Sequence, residues 1–186
     1  MINVTDIKKG MVIRLDGDMF VVVDYEQIKP GKGPAYMQTK LRNLITGTNI
    51  EKRLNTSGKV EDVFVERREM EYLYDDGSSL VFMDTETYEQ HHLSKDLIGD
   101  GVNFLQPNMR VQVSFVEGAA VGVELPASVD LEVTETAPQL KGATLTNKSK
   151  PAVLETGYRV MVPSFIEQGE VIRVDTRSGE YLERVK

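Results

Sequence analysis

Apolar and polar positions alternate with a period of two over most of this chain. Met19 to Tyr25 (MFVVVDY) is rich in β-branched and aromatic side chains and follows the turn Asp16-Gly17-Asp18. From Ala35 to Leu44 (AYMQTKLRNL) the alternation is explicit. Met37, Thr39 and Leu41 fall on one face; Tyr36, Gln38, Lys40 and Arg42 fall on the other. Strands with one wet face read this way. The intervening segment Ile28 to Pro34 (IKPGKGP) cannot continue a ladder, because its two prolines and two glycines demand turn geometry. Residues 19–44 are therefore predicted to form a β-hairpin with a loop of about seven residues.

The same rhythm runs on. Glu71 to Tyr74 and Ser79 to Met83 flank Asp75-Asp76-Gly77-Ser78, a hairpin signal. Val111 to Val116 and Ala120 to Glu124 flank Glu117-Gly118-Ala119. Ser94 to Leu105 is predicted to hold one short helix, with Ser94 as its cap and Leu97 and Ile98 on its apolar side. Further strands are expected at Val129 to Thr134, Ala152 to Leu154, Arg159 to Val162, Val171 to Val174 and Tyr181 to Val185. Turn clusters sit at Thr156-Gly157 and Arg177-Ser178-Gly179, and the polar stretch Lys141 to Lys150 reads as an exposed loop. Short strands with frequent turns mean barrels or sandwiches, and thirds of about 60 residues suit small SH3-like or OB-type barrels. The segments 81–90 (VFMDTETYEQ) and 172–183 (IRVDTRSGEYLE) share an apolar strand, Asp-Thr and a following Tyr, which hints at a repeated unit.

Composition narrows the class. Apolar residues make up 40% and charged residues 27% of 186, which excludes a wholly disordered chain. No apolar run is long enough for a transmembrane helix, and the opening MINVTDIKKG lacks the apolar core of a secretory signal, so a cytoplasmic address is expected. The absence of cysteine excludes disulfides, thiolate catalysis and cysteine zinc sites. The net charge of −7 argues against nucleic acid until it is divided along the chain. Residues 1–64 carry 10 basic and 8 acidic side chains, residues 65–127 carry 4 and 12, and residues 128–186 carry 8 and 9. Gln27 to Ile50 is free of acids and holds Lys29, Lys32, Lys40 and Arg42, with Lys52 and Arg53 just beyond. Thr136 to Leu154 is also free of acids and holds Lys141, Lys148 and Lys150. Either chance clustering or a protein that touches a polyanion at two separated places gives this distribution.

Candidate catalytic chemistry is sparse. His91 and His92 are adjacent, so on a strand they point to opposite faces and cannot chelate one metal together. Neither G-x-S-x-G nor H-E-x-x-H occurs, and Gly58-Lys59 lacks the rest of a phosphate loop. The acids Glu66, Glu69, Glu71, Asp75 and Asp76 read as a solvated face. No catalytic residue, metal site or cofactor is therefore assigned. Pro30-Gly31-Lys32-Gly33-Pro34 is different: it presents one long cation at a hairpin tip, between backbone-restricting prolines and side-chain-free glycines. It is either a solvated turn lysine or an effector. Lys40 and Arg42, on one face of the returning strand, are placed as phosphate contacts would need.

At these residues the chain resembles bacterial elongation factor P. The tip KPGKG at 29–33 is followed by AYMQTKLRNLITGT at 35–48. Leu73-Tyr74-Asp75-Asp76-Gly77 and Phe82-Met83-Asp84 match the family's second domain, and KPAVLETGYRVMVPSFIEQG (150–169) and DTRSGEYLERVK (175–186) match its third. The resemblance implies an all-β protein of three small barrels in an L shape like that of transfer RNA. They would be an SH3-like (KOW-type) domain at 1–64, a central OB-type domain at 65–127 and a C-terminal OB-type domain at 128–186. It also implies a non-enzymatic, monomeric translation factor that binds both ribosomal subunits between the P and E sites, beside peptidyl-tRNA, and relieves stalling at consecutive prolines. By resemblance Lys32 reaches toward the CCA end of that tRNA and is the position at which a lysine-modifying enzyme acts in many relatives. Pro34 stands where modified relatives often have a polar residue, so both states of Lys32 stay open. The family often reads Gly-Asp-Thr in a third-domain loop facing the E-site codon; here it is Gly142-Ala143-Thr144, and the carboxylate is missing. A paralogue resembling elongation factor P is the neighbouring reading. A general OB-fold RNA binder would need aromatic stacking platforms, which a chain without tryptophan and with 7% aromatics supplies poorly.

Overall fold

The computed structural model describes residues 1–139 and 149–186. The described residues form three antiparallel sheets, two of them curled into half-barrels. The first contains β1 (Ile2–Asn3), β2 (Val12–Leu15), β3 (Asp18–Ile28), β4 (Tyr36–Asn43), β5 (Asn49–Asn55) and β6 (Lys59–Val63), in the order β1-β6-β2-β3-β4-β5. The second contains β7 (Glu66–Asp75), β8 (Leu80–Asp84), β9 (Gln90–Leu93), β10 (Arg110–Val116) and β11 (Ala119–Glu124), in the order β11-β10-β7-β8-β9. The third contains β12 (Ser128–Thr136), β13 (Ser149–Leu154), β14 (Arg159–Pro163), β15 (Val171–Asp175) and β16 (Tyr181–Arg184), in the order β14-β13-β12-β15-β16. The residues gather into two compact units, Met1–Glu66 with Ser114–Val121 and Arg67–Val113 with Gly122–Lys186.

Period-two patterning explains each core. In β4, Met37 and Leu41 are buried with Val4, Ile7, Ile13, Phe20 and Val22, Thr39 is buried on the same face of the strand, and Lys40 and Arg42 are exposed. Thr39 is completely buried and its hydroxyl donates to the Lys52 carbonyl at 2.7 Å, which removes the cost of an unpaired polar atom in the core. In the second sheet Phe82 packs on Tyr72 with ring centroids 5.3 Å apart. The third core is built from Val129, Leu131, Val133, Leu154, Val162 and Ile172, and Phe104 joins it edge-on to Tyr158 at 5.0 Å.

The helix expected over Ser94 to Leu105 is replaced by two short 3₁₀ turns, Lys95–Leu97 and Gly99–Phe104. Ser94 does cap the first, accepting the Asp96 N–H. Gly99, at φ +59°, takes a left-handed conformation that no continuous α-helix can contain, so the segment breaks there. The polar loop expected over 141–150 is shorter at its end, because Ser149 and Lys150 already pair with β14.

Within the two segments that hinted at a repeated unit, the turn itself recurs, and it has a third copy. In Asp84–Glu89 the Asp84 carboxylate accepts the N–H groups of Glu86 (2.8 Å) and Thr87 (3.1 Å). The Tyr88 N–H bonds to the Asp84 carbonyl, the Asp84 N–H to the Glu89 carbonyl, and the Glu89 N–H to the Thr87 hydroxyl. Asp175–Glu180 repeats all five bonds, with Arg177, Ser178, Gly179 and Glu180 in the matching places. Asn43–Thr48 repeats them again in the first sheet, its amide oxygen replacing the carboxylate. Each copy closes a hairpin: β4 to β5, β8 to β9, and β15 to β16.

Candidate functional site

The β3–β4 hairpin carries the tip lysine, and β5 pairs with β4 from Tyr36 opposite Asn55 to Arg42 opposite Asn49. Pairing runs from Phe20 opposite Asn43 to Ile28 opposite Tyr36, which leaves Lys29 to Ala35 as the loop, as the prolines and glycines require. The C-terminal end of the loop is pinned by the residue after β5: the Thr56 N–H and hydroxyl both donate to the Ala35 carbonyl, at 3.4 and 2.9 Å. Lys29 to Pro34 are all exposed. Among the described residues the Lys32 ammonium has no hydrogen-bond or ion-pair partner. Gly33 adopts φ +102°, a region closed to most side chains, and space is open beside both Gly31 and Gly33. The loop therefore displays a free cation whose surroundings admit close approach of another molecule.

The cations behind the tip divide into free and engaged. Arg42 faces solvent between Val21 and Asn49, and Lys29 is exposed; neither has an ion-pair partner among the described residues. Lys40 lies on the same face but between Asp24 on β3 and Glu51 on β5. A bulge causes this. Val22 pairs with Leu41 and Asp24 with Lys40, so Val23 is the extra residue that brings a carboxylate opposite the lysine. Asp24 is itself held by Lys9 at 2.9 Å and by the Tyr25 N–H; the Lys9 contact, first of all, keeps its carboxyl below the usual carboxylate range. Lys52 reaches Asp16 at 2.6 Å. Arg53 stacks over the Tyr36 ring at 5.0 Å and donates to Gln38, which in turn donates to Glu51. The acid-free window read along the chain is thus not an acid-free surface: Asp24, Glu26 and Glu51 arrive from the neighbouring strands. The Tyr36–Arg53 stack and the Thr56 brace escaped the sequence reading. The strand alternation that puts Tyr36 on the wet face was their only signal.

Elsewhere the candidate positions are less coherent. The Lys150 ammonium donates to the Ala137 carbonyl. Lys141, Gly142, Ala143, Thr144 and Lys148 lie outside the described residues. His91 and His92 occupy opposite faces of β9. His92 Nδ1 lies 3.2 Å from Asp76 and 3.3 Å from the Ser79 hydroxyl, so one nitrogen meets both and no relay through the ring is formed. The N–H groups and hydroxyls of Ser79 and Ser78 hold the Asp76 carboxyl far below the usual range. An open groove of about 500 Å³ along β14 is lined by Tyr158, Met161, Pro163 and Tyr181, with Arg159 and Glu180 as its charged groups. No helix of the described residues is long and apolar enough to cross a membrane.

Residues 3–60 match the elongation factor P (EF-P) KOW-like domain, residues 65–123 the elongation factor P (EF-P) OB domain, and residues 129–184 the elongation factor P C-terminal domain. Elongation factor P of Corynebacterium urealyticum is 50% identical over 185 residues, covering 100% of this chain and 99% of the relative. That of Thermoanaerobacter sp. (strain X514) is 51% identical over 185 residues, covering 100% of both. Among solved structures, eukaryotic translation initiation factor 5A from Methanococcus jannaschii aligns with 66% of this chain and 94% of its own, at a TM-score of 0.48 and 28% identity. Three family matches in sequence order and half-identical relatives along the whole length show that this chain belongs to the elongation factor P family of non-enzymatic translation elongation factors, a membership that implies interaction with the ribosome.

Proposed function

We propose that the protein acts in the cytoplasm, binds the ribosome between the P and E sites beside peptidyl-tRNA, and stimulates peptide bond formation where consecutive prolines stall it. Proline is a constrained secondary amine with a fixed φ, so a peptidyl-prolyl end sits badly for attack. A factor that holds the CCA end restores near-attack geometry without supplying an acid, base or nucleophile. The observation that carries this reading is the free Lys32 ammonium in an exposed loop at the end of the β3–β4 hairpin, beyond the last pair Ile28–Tyr36. Lys29 and Arg42 then serve as contacts for the acceptor-stem phosphates, with Lys40 tempered by Asp24 and Glu51. The division into domains near residues 64 and 128 is supported by the separate sheets. The third domain would lie toward the small subunit and the E-site codon.

The test is Lys32→Ala. An exposed loop substitution changes stability by less than about 0.5 kcal/mol, so the variant should fold as the parent does. Stimulation of proline–proline bond formation on purified ribosomes should be mostly lost. Ribosome affinity should fall modestly, because one cation among many phosphate contacts accounts for about one unit of salt slope. Undiminished rescue by the variant would remove Lys32 from this role. The intact mass of the protein from its native cells reads directly whether Lys32 is extended.

A further inference from the structure

The three copies of the hairpin turn differ at one structurally demanding place. The fifth residue is Gly47 in the first, Gly179 in the third and Tyr88 in the second, at φ +71°, +74° and +62°. Glycine is the residue this conformation favours, and a side chain there costs free energy that the turn's own bonds must offset. The other non-glycine residues at positive φ among the described residues are Asp16, Asn108 and Glu117, so Tyr88 is the one aromatic side chain held this way. The residue is 71% exposed, and its hydroxyl has no hydrogen-bond partner among the described residues. The left-handed backbone serves the turn that closes β8 on β9, but the tyrosine side chain itself makes no hydrogen bond there. The five backbone and side-chain bonds anchored on Asp84 hold the backbone so that the ring projects into solvent.

We propose that the Tyr88 turn is a protein-docking contact that takes a lysine- or arginine-rich surface. A rigidly presented tyrosine is, with tryptophan and arginine, among the residue types enriched as interface anchors, because it buries a large area at the cost of few rotors. The partner's sign follows from the surroundings. Exposed Glu86 and Glu89 belong to the same turn, Glu89 lying 3.9 Å from His91, and residues 65–127 hold 12 acids against 4 bases. A guanidinium or ammonium over the ring face gains a cation–π contact and the attraction of both carboxylates. A nucleic-acid backbone would meet repulsion at the same place.

Because the partner is sought on the ribosome, this inference rests on the function proposed above. The experiment uses the full chain and purified ribosomes. Tyr88→Gly should leave the Tm unchanged or raise it, since glycine is what the sister turns use, yet weaken ribosome binding tenfold or more. The paired change Glu86→Lys with Glu89→Lys should also weaken binding. A benzophenone amino acid placed at position 88 should crosslink to protein. Affinity within twofold of the parent for Tyr88→Gly, tighter binding by the charge-reversed variant, or crosslinks running to RNA would each overturn the proposal. Crosslinking at position 88 that persists in the Lys32→Ala variant supports the docking contact independently of the tip. If the parent chain itself fails to bind ribosomes, the proposed function falls first and the docking contact falls with it.

Discussion

Substituting Asp84 with alanine removes the acceptor around which the β8–β9 turn is built. Two N–H groups, of Glu86 at 2.8 Å and Thr87 at 3.1 Å, lose their partner. A net hydrogen bond contributes about 0.5–1.5 kcal/mol, and both donors sit on exposed residues that water reaches once the carboxylate is gone. The expected cost is therefore about 1–2 kcal/mol, similar to losing a helix cap. Asp84→Asn keeps one acceptor oxygen in place, and Asn43 performs the same task in the first sheet. It should cost less than about 0.5 kcal/mol at neutral pH. The acid side separates the two further. The N–H groups of Thr87 and then Glu86 hold the Asp84 carboxyl below its ordinary value, against the opposing effect of burial. A depressed carboxyl contributes stability above its unfolded value, about 3.9, and loses it as pH falls through the folded value. The parent's advantage over Asp84→Asn should thus vanish only below about pH 4. Urea unfolding, combined with hydrogen exchange of the peptide covering residues 80–93, measures both effects. If Asp84→Asn is as damaging as Asp84→Ala at pH 7, the charge matters and not the acceptor. If Asp84→Ala costs less than about 0.5 kcal/mol, the turn bonds contribute nothing of consequence.

Three further outcomes are expected from the packing. Phe82→Ala empties a completely buried site beside Tyr72 and should cost about 3–5 kcal/mol in urea unfolding; a cost near 1 would mean that the second core collapses around the gap. Thr39→Val keeps the shape but strips the Lys52 carbonyl of its 2.7 Å donor, and should cost about 1–2 kcal/mol by the same measurement. Gly179→Ala should destabilise more than Gly47→Ala, since a Cβ at 179 would lie 2.3 Å from the Tyr158 hydroxyl while position 47 opens to space. Equal melting temperatures for the two variants would show that backbone conformation alone sets the cost.

Much of this protein was legible along the chain because its determinants are local. The alternation of Met37, Thr39 and Leu41 with Lys40 and Arg42 assigned β4 and its wet face before any partner strand was known. The prolines and glycines of residues 30–34 located the loop, since missing N–H groups and free φ act on the backbone where they stand. The absence of cysteine settled the redox question by composition. What escaped was set by pairing between distant residues. The bulge at Val23 sets Asp24 against Lys40, and the β4–β5 register brings Arg53 over Tyr36 and Glu51 beside Lys40, so the charge of the hairpin differs from that of its sequence window. A register shift by one residue would exchange both faces, and no single strand carries that information. Phe104 reads as part of the middle third yet packs in the core of the third sheet. The turn at Asn43–Thr48 shares a bonding pattern with its sisters and almost no letters, so only the folded backbone reveals it. Tyr88 is conspicuous for the same reason: its letter is ordinary, and its left-handed backbone and exposed ring exist only once the tertiary structure has closed the hairpin around it.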